Sequence, residues 1–117
     1  MDIIGHRGAK GEAPENTLSG FRYLMAMGLR QVEFDIHVSA DGQLIVIHDK
    51  TLERTTNGIG FIKDKTQAEL ASLDACHTLF PQWPDHDGVP SLADVLTLLK
   101  DFDHLQLEVK TESAETA

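Results

Sequence analysis

Residues 32–49 read VEFDIHVSADGQLIVIHD, which sets Glu33, Asp35, His37, His48 and Asp49 among residues that otherwise suit a core. A β-strand points alternate side chains to opposite faces, so Glu33 and Asp35 share one face and Val32, Phe34 and Ile36 the other. Two adjacent carboxylates repel, and charged groups are seldom buried without a partner. If that face is enclosed, a divalent cation is the natural partner; a solvated strand face is the plain alternative. Other ionisable residues also fall late in expected strands: His6 in the first, His48 in the third, Glu108 and Lys110 in the fourth. In parallel α/β folds the carboxyl ends of the strands gather on one side, where active sites are built. Three carboxylates with no cysteine ligand suit a hard cation, Mg²⁺ or Ca²⁺. Two histidines suit proton transfer near neutral pH. Arg7 and Lys110 suit an anion, phosphate above all. Together they point to metal-assisted cleavage of a phosphate ester with a histidine acid and base.

These residues need strands to carry them, and the chain supplies four. Ile3 and Ile4 open the first, which runs into Gly5-His6-Arg7-Gly8, where glycines permit a sharp turn and close backbone approach to a ligand. A helix is predicted from about Asn16. Asn16 or Thr17 can cap it, Leu18, Phe21, Leu24, Met25 and Leu29 form one stripe, and Gly28 marks its end. The second and third strands fall at about 31–36 and 44–48, around Asp41-Gly42. Spacing alone draws them as an antiparallel hairpin with Asp35 opposite His48. A parallel pair instead needs residues 37–43 to run back along the sheet in extended form.

Residues 50–65 read as loop. Thr66-Gln67-Ala68-Glu69 has capping-box form and starts a short helix through Leu70 and Leu73. Residues 76–90 look irregular. Ser91 caps a third helix whose buried stripe is Leu92, Val95, Leu96 and Leu99. Residues 105–110 form the fourth strand, with Gln106, Glu108 and Lys110 on one face and Leu105, Leu107 and Val109 on the other. This alternation of strands and helices argues for an α/β fold with a largely parallel sheet. Of the remaining histidines, His37 starts the return loop, and His77, His86 and His104 lie in irregular or exposed stretches without partners at ligand spacing. Cys76 reads as a small buried apolar residue, Trp83 as a residue that packs on a helix or else lines the cleft, with packing favoured, and Glu15 and Asn16 as parts of the helix start or neighbours of the site.

Composition narrows the function. At 117 residues the chain can build one domain with its own core. A hydrophobic content of 41% and a charged content of 25% place it with ordinary globular proteins rather than disordered ones. The net charge of −9 disfavours nucleic acid and anionic membrane surfaces as partners. A single cysteine allows neither an internal disulfide nor a thiolate zinc cluster. No apolar run approaches the ~20 residues of a membrane span, and no signal peptide is visible, so a cytoplasmic location is the expectation.

The sequence resembles the glycerophosphodiester phosphodiesterase family. The matching residues are His6-Arg7-Gly8, Pro14-Glu15-Asn16-Thr17, Glu33-Phe34-Asp35, Asp41-Gly42 and His48-Asp49, followed by Thr55-Thr56-Asn57-Gly58, Val89-Pro90-Ser91-Leu92 and Glu108-Val109-Lys110. They run through essentially the whole chain, and it is their joint order that is specific. The resemblance implies a (β/α)8 barrel of the TIM type. It implies that Glu33, Asp35 and Glu108 hold one divalent cation, Mg²⁺ or Ca²⁺. His6 and His48 would be the acid–base pair, and Arg7 and Lys110 would bind the substrate phosphate. The implied reaction is hydrolysis of a small glycerophosphodiester to glycerol 3-phosphate and an alcohol.

Length departs from that family. A (β/α)8 barrel takes about 250 residues, whereas this chain carries about the first four strands. The expectation is therefore the N-terminal part of such a domain. It could be a truncated piece, one completed by a second chain, or one of two copies paired as half-barrels.

Overall fold

A computed structural model describes residues 13–109, together with the backbone of Gly5 and His6. The strands are β1 (Gly5–His6), β2 (Gln31–Val38), β3 (Leu44–Val46) and β4 (His104–Val109). The helices are α1 (Leu18–Ala26), α2 (Gln67–Ala71) and α3 (Leu92–Leu98), with one 3₁₀ turn at Ile62–Asp64. Ile3, Ile4, Arg7 and Lys110, which the sequence places in or beside strands, lie outside the described residues.

Strand β2 organises the sheet. Glu33 pairs with both His6 and Gln106, and Ile36 with both Val46 and Val109. One edge of β2 therefore belongs to β4, and β1 and β3 share the other. β1 and β4 run parallel to β2, as expected, while β3 is antiparallel. The hairpin drawn from spacing thus forms, and the extended return of residues 37–43 does not.

Its register is offset by one from the expected pairing. Ser39 N–H donates to the Gln43 carbonyl at 2.9 Å, and Gln43 N–H to Ser39 Oγ at 3.0 Å. Gly42, at φ +81°, closes a three-residue loop rather than a two-residue one. Asp35 consequently faces Ile47, whose N–H reaches its carbonyl at 3.0 Å, and His48 lies one residue further along. His48 does not sit at the carboxyl end of a parallel strand. It reaches the neighbourhood of Asp35 because β3 runs back along β2.

Two cores flank this sheet. On one face Val32, Phe34 and Ile36 pack with Phe21 and Leu24 of α1, Val95 of α3 and Leu99 at the C-cap of α3. The Phe21 and Phe34 rings meet edge to face at 5.6 Å. Helix α1 starts at Thr17, whose Oγ1 accepts from Gly20 N–H at 2.9 Å, and Gly28, at φ +84°, follows its C-cap. The expected α3 stripe holds except at Leu96, which is 40% exposed. Leu92, Val95 and Leu98 of this seven-residue helix and its C-cap Leu99 meet the core, while Leu96 lies on the side turned away from it.

The second core joins Ile45, Ile47, Leu52, Ile62, Leu70 and Val89. Ile45 pairs with His37, so this cluster rises from the Glu33–Asp35 side of the sheet. The expected loop at 50–65 contains a bridge between Thr51 and Phe61 as well as the 3₁₀ turn. Helix α2 has the predicted capping box between Thr66 and Glu69. A plain solvated face for Glu33 and Asp35 is therefore not what forms: Asp35 is 1% exposed.

Candidate active site

The sheet register brings the three acidic residues together. Glu108 pairs directly with Asp35, and Glu33 lies two residues before Asp35 on the same face. Each offers one carboxylate oxygen, and these oxygens all lie within 4.8 Å of one another. A cation with oxygen ligands at ~2.4 Å spans about 4.8 Å between opposite ligands. The donor set therefore fits one hard divalent ion. The environment is graded: Asp35 is buried, Glu33 half-buried and Glu108 exposed.

The proton-transfer candidates stand on the other edge of β2. His6 is opposite Glu33 by its backbone; its side chain lies outside the description. Arg7 and Lys110, the expected phosphate ligands, lie wholly outside the described residues. His48 is fixed twice. Its Nδ1 is 2.8 Å from Asp49 Oδ1, and because a carboxylate only accepts, Nδ1 carries the hydrogen. In the neutral ring Nε2 is then the acceptor. The His48 carbonyl in turn accepts from Nε2–H of His37 at 2.9 Å. His37 is thus a buried brace within β2, not a residue starting the return loop as the sequence suggested.

Asn16 connects the two groups. It has the left-handed backbone conformation, φ +53°, which asparagine tolerates better than most residues. Its Nδ2 lies 3.5 Å from Asp35 Oδ2, and its buried Oδ1 has no hydrogen-bond partner among the described residues. With Glu15, Thr55 and Thr56 it lines a small cleft that also contains His48. Of the two readings of Asn16, the place near the site holds, while Thr17 caps the helix.

The sequence pattern of the Glycerophosphoryl diester phosphodiesterase family matches residues 6–117. The chain belongs to that family. It is 41% identical over 110 residues to the glycerophosphodiester phosphodiesterase of Caldanaerobacter subterraneus, covering 93% of this chain and 45% of that protein. It is 36% identical to the enzyme of Bacillus altitudinis, covering 96% of this chain and 45% of that one. The crystal structure of a glycerophosphodiester phosphodiesterase from Agrobacterium tumefaciens superposes at TM-score 0.86 with 37% identity, over 94% of this chain and 47% of that one. A phosphodiesterase from Oleispira antarctica, solved with its product sn-glycerol-3-phosphate, superposes at 0.87 with 35% identity, over 98% of this chain and 47% of that one. The chain spans less than half the length of these relatives.

Within this family member, sequence reasoning missed Arg54. Its Nε reaches Asp49 Oδ2 at 2.7 Å and its Nη2 reaches Asp49 Oδ1 at 3.1 Å. Nη2 and Nη1 also donate to Glu15 Oε2 and Oε1, at 2.7 and 3.2 Å. Burial pushes the Asp49 carboxyl up, but hydrogen bonds from Arg54 and His48 outweigh it and hold the group below the ordinary carboxylate range. No periodicity marks Arg54, and Glu15 is remote from it in the chain.

His86 also has a partner, contrary to the sequence reading. Its Nδ1 is 2.8 Å from Asp74 Oδ2, and Cys76 N–H donates to Asp74 Oδ1 at 2.9 Å. Asp74, Cys76 and His86 have metal-ligating atoms close together, but ring and carboxylate already engage each other, so the group reads as a loop clamp. Cys76 is buried, and burial pushes its thiol pKa up, as befits an unreactive cysteine. Trp83 packs edge to face on Tyr23 and Phe80, as expected. Among the described residues no helix is long and apolar enough to cross a membrane.

Proposed function

We propose that this chain carries the metal-binding and proton-transfer part of a glycerophosphodiester phosphodiesterase, the N-terminal portion of a (β/α)8 barrel. Its reaction is hydrolysis of a small glycerophosphodiester to glycerol 3-phosphate and an alcohol. The observation that supports this most is the convergence of Glu33, Asp35 and Glu108 within 4.8 Å, with His48, one residue past the Ile47 that faces Asp35, held with Nδ1 protonated. These three residues would hold one Mg²⁺ or Ca²⁺, which when bound would neutralise negative charge that develops as the phosphate ester is cleaved. His48 Nε2 is suited to take or return a proton at the reacting oxygens, and His6 is its proposed counterpart. Arg7 and Lys110 are proposed to bind the phosphate oxygens.

A second reading rests on the coverage of less than half of each relative. In it the chain binds metal and phosphate without turnover, until further βα units or a second chain close the barrel. One assay separates the two. Incubation with glycerophosphocholine and Mg²⁺ or Ca²⁺ is expected to release glycerol 3-phosphate, and EDTA, Glu33→Ala or His48→Ala should abolish the release. Retained metal binding without turnover supports the second reading. Turnover indifferent to EDTA and to both substitutions overturns the first.

A further inference from the structure

We propose that Arg54 is a positioning residue for His48: its guanidinium holds Asp49 in the one orientation in which Asp49 fixes the Nδ1–H form of that ring. The inference rests on the reading of His48 as a proton-transfer group. A guanidinium is a rigid planar fork, and two of its edges are used here. One edge meets both oxygens of Asp49, at 2.7 and 3.1 Å, and the other both oxygens of Glu15, at 2.7 and 3.2 Å.

Asp49 Oδ1 is shared, receiving His48 Nδ1–H at 2.8 Å as well as Arg54 Nη2. Rotation of the Asp49 carboxylate would break two bonds to Arg54 along with the one to His48. Among the described residues, the side-chain bonds to Asp49 come from Arg54 and His48 alone; its side chain is a quarter exposed, and without them a carboxylate on a loop would sample several rotamers. Glu15 supplies the anchor, since its side chain is buried and its neighbour Asn16 lies against Asp35. The fork therefore ties the segment against the metal-ligand candidate to the carboxylate that orients the histidine. An ordinary surface ion pair contributes little, but this one fixes a tautomer. In a neutral imidazole the nitrogen that carries the proton decides which nitrogen can act as base. Where a carboxylate in this role is replaced by its amide in serine proteases, geometry survives and turnover falls ~10⁴-fold because the tautomer is wrong.

The test reads His48 directly, by ¹⁵N NMR of the histidine ring in the 117-residue chain at a pH where the ring is neutral. Wild type is expected to show Nδ1–H alone. Arg54→Lys keeps the charge but not the fork, and should give a mixture of tautomers; Arg54→Gln should shift further, and Asp49→Asn should favour Nε2–H. A single Nδ1–H form in both Arg54 variants overturns the proposal, whatever Asp49→Asn shows and whether or not the chain turns over substrate. In the glycerophosphocholine assay, Arg54→Lys should lower kcat roughly 10- to 100-fold, the range seen when outer-shell partners are lost, with KM little changed. An unchanged kcat alongside a disturbed tautomer would overturn the catalytic reading of His48 but leave the relay standing.

Discussion

Strands β2 and β4 are paired residue by residue over Gln31–Ile36 and His104–Val109, and both alternate apolar with polar side chains, yet their surroundings are opposite. Phe34 is fully buried beneath α1 and α3, whereas its partner Leu107 is 39% exposed. Ile36 is buried and its partner Val109 is 61% exposed. The polar face repeats the pattern, with Asp35 buried and Glu108 exposed. Alternation therefore tells which face a residue takes, not whether that face has a cover. The candidate site inherits the asymmetry: among the described residues one side is built on packed structure, the other on a strand that is mostly exposed. In the proposed barrel, further βα units would supply that cover.

The largest effect that can break this comparison lies in the apolar pairs. Phe34→Ala should cost about 3–5 kcal/mol, as large-to-small changes at buried aromatic positions do. Leu107→Ala, on the same face one strand away, should cost about 1 kcal/mol or less. Urea melts of the two variants against wild type decide it. Phe34→Leu serves as the milder probe if Phe34→Ala fails to fold. Equal costs would mean that β4 is as well covered as β2.

A smaller effect concerns the acidic residues. A ligand present at 100 times its Kd stabilises the folded state by ~2.7 kcal/mol. Ca²⁺ or Mg²⁺ should therefore raise the melting temperature of the chain. Asp35→Asn, on the rigid strand, should remove that shift, and Glu108→Gln should reduce it. Identical losses in the two variants would show the exposed carboxylate to be as firmly placed as the buried one.

The sequence exposed those parts of the site that depend on local periodicity. Glu33 and Asp35 share a face because a strand has a period of two, and Glu108 joins them because residues 105–110 have the same alternation. Caps at Thr17, Thr66 and Ser91 were readable from the same short-range logic. The hairpin offset was not, because Asp41-Gly42 suits both a two-residue turn and the three-residue loop that forms. Arg54 was also out of reach: its bonds to Glu15 cross 39 positions and depend on where two irregular loops meet. Its polar partners leave no periodic trace, unlike a buried stripe. Leu96 failed for a related reason, since the width of a helix's buried face is set by its neighbours.

The smallest effect contrasts the two charge clamps. Arg54 stays protonated at any ordinary pH, so its grip on Asp49 persists from the acid range upward and weakens only as pH falls through the depressed Asp49 pKa. The His86–Asp74 clamp on the loop between α2 and α3 is bounded on both sides. The hydrogen bond to Asp74 raises the His86 pKa above its usual 6.5. Its contribution is therefore complete below the unfolded value of about 6.5 and is lost as pH rises through the higher folded value. Burial pushes Asp74 up, but its bonds from His86 and from Cys76 N–H outweigh this and lower its pKa. That share is present above the unfolded carboxylate value of about 4 and is lost as pH falls through the depressed one. Between pH 6 and 8.5, amide exchange corrected for intrinsic rate should accelerate across residues 74–87 but not across residues 48–54. His86→Ala should remove the difference. A loop whose protection ignores pH over that range would show that backbone bonds such as Ala75 N–H to the Asp87 carbonyl, at 2.8 Å, hold the segment without the histidine.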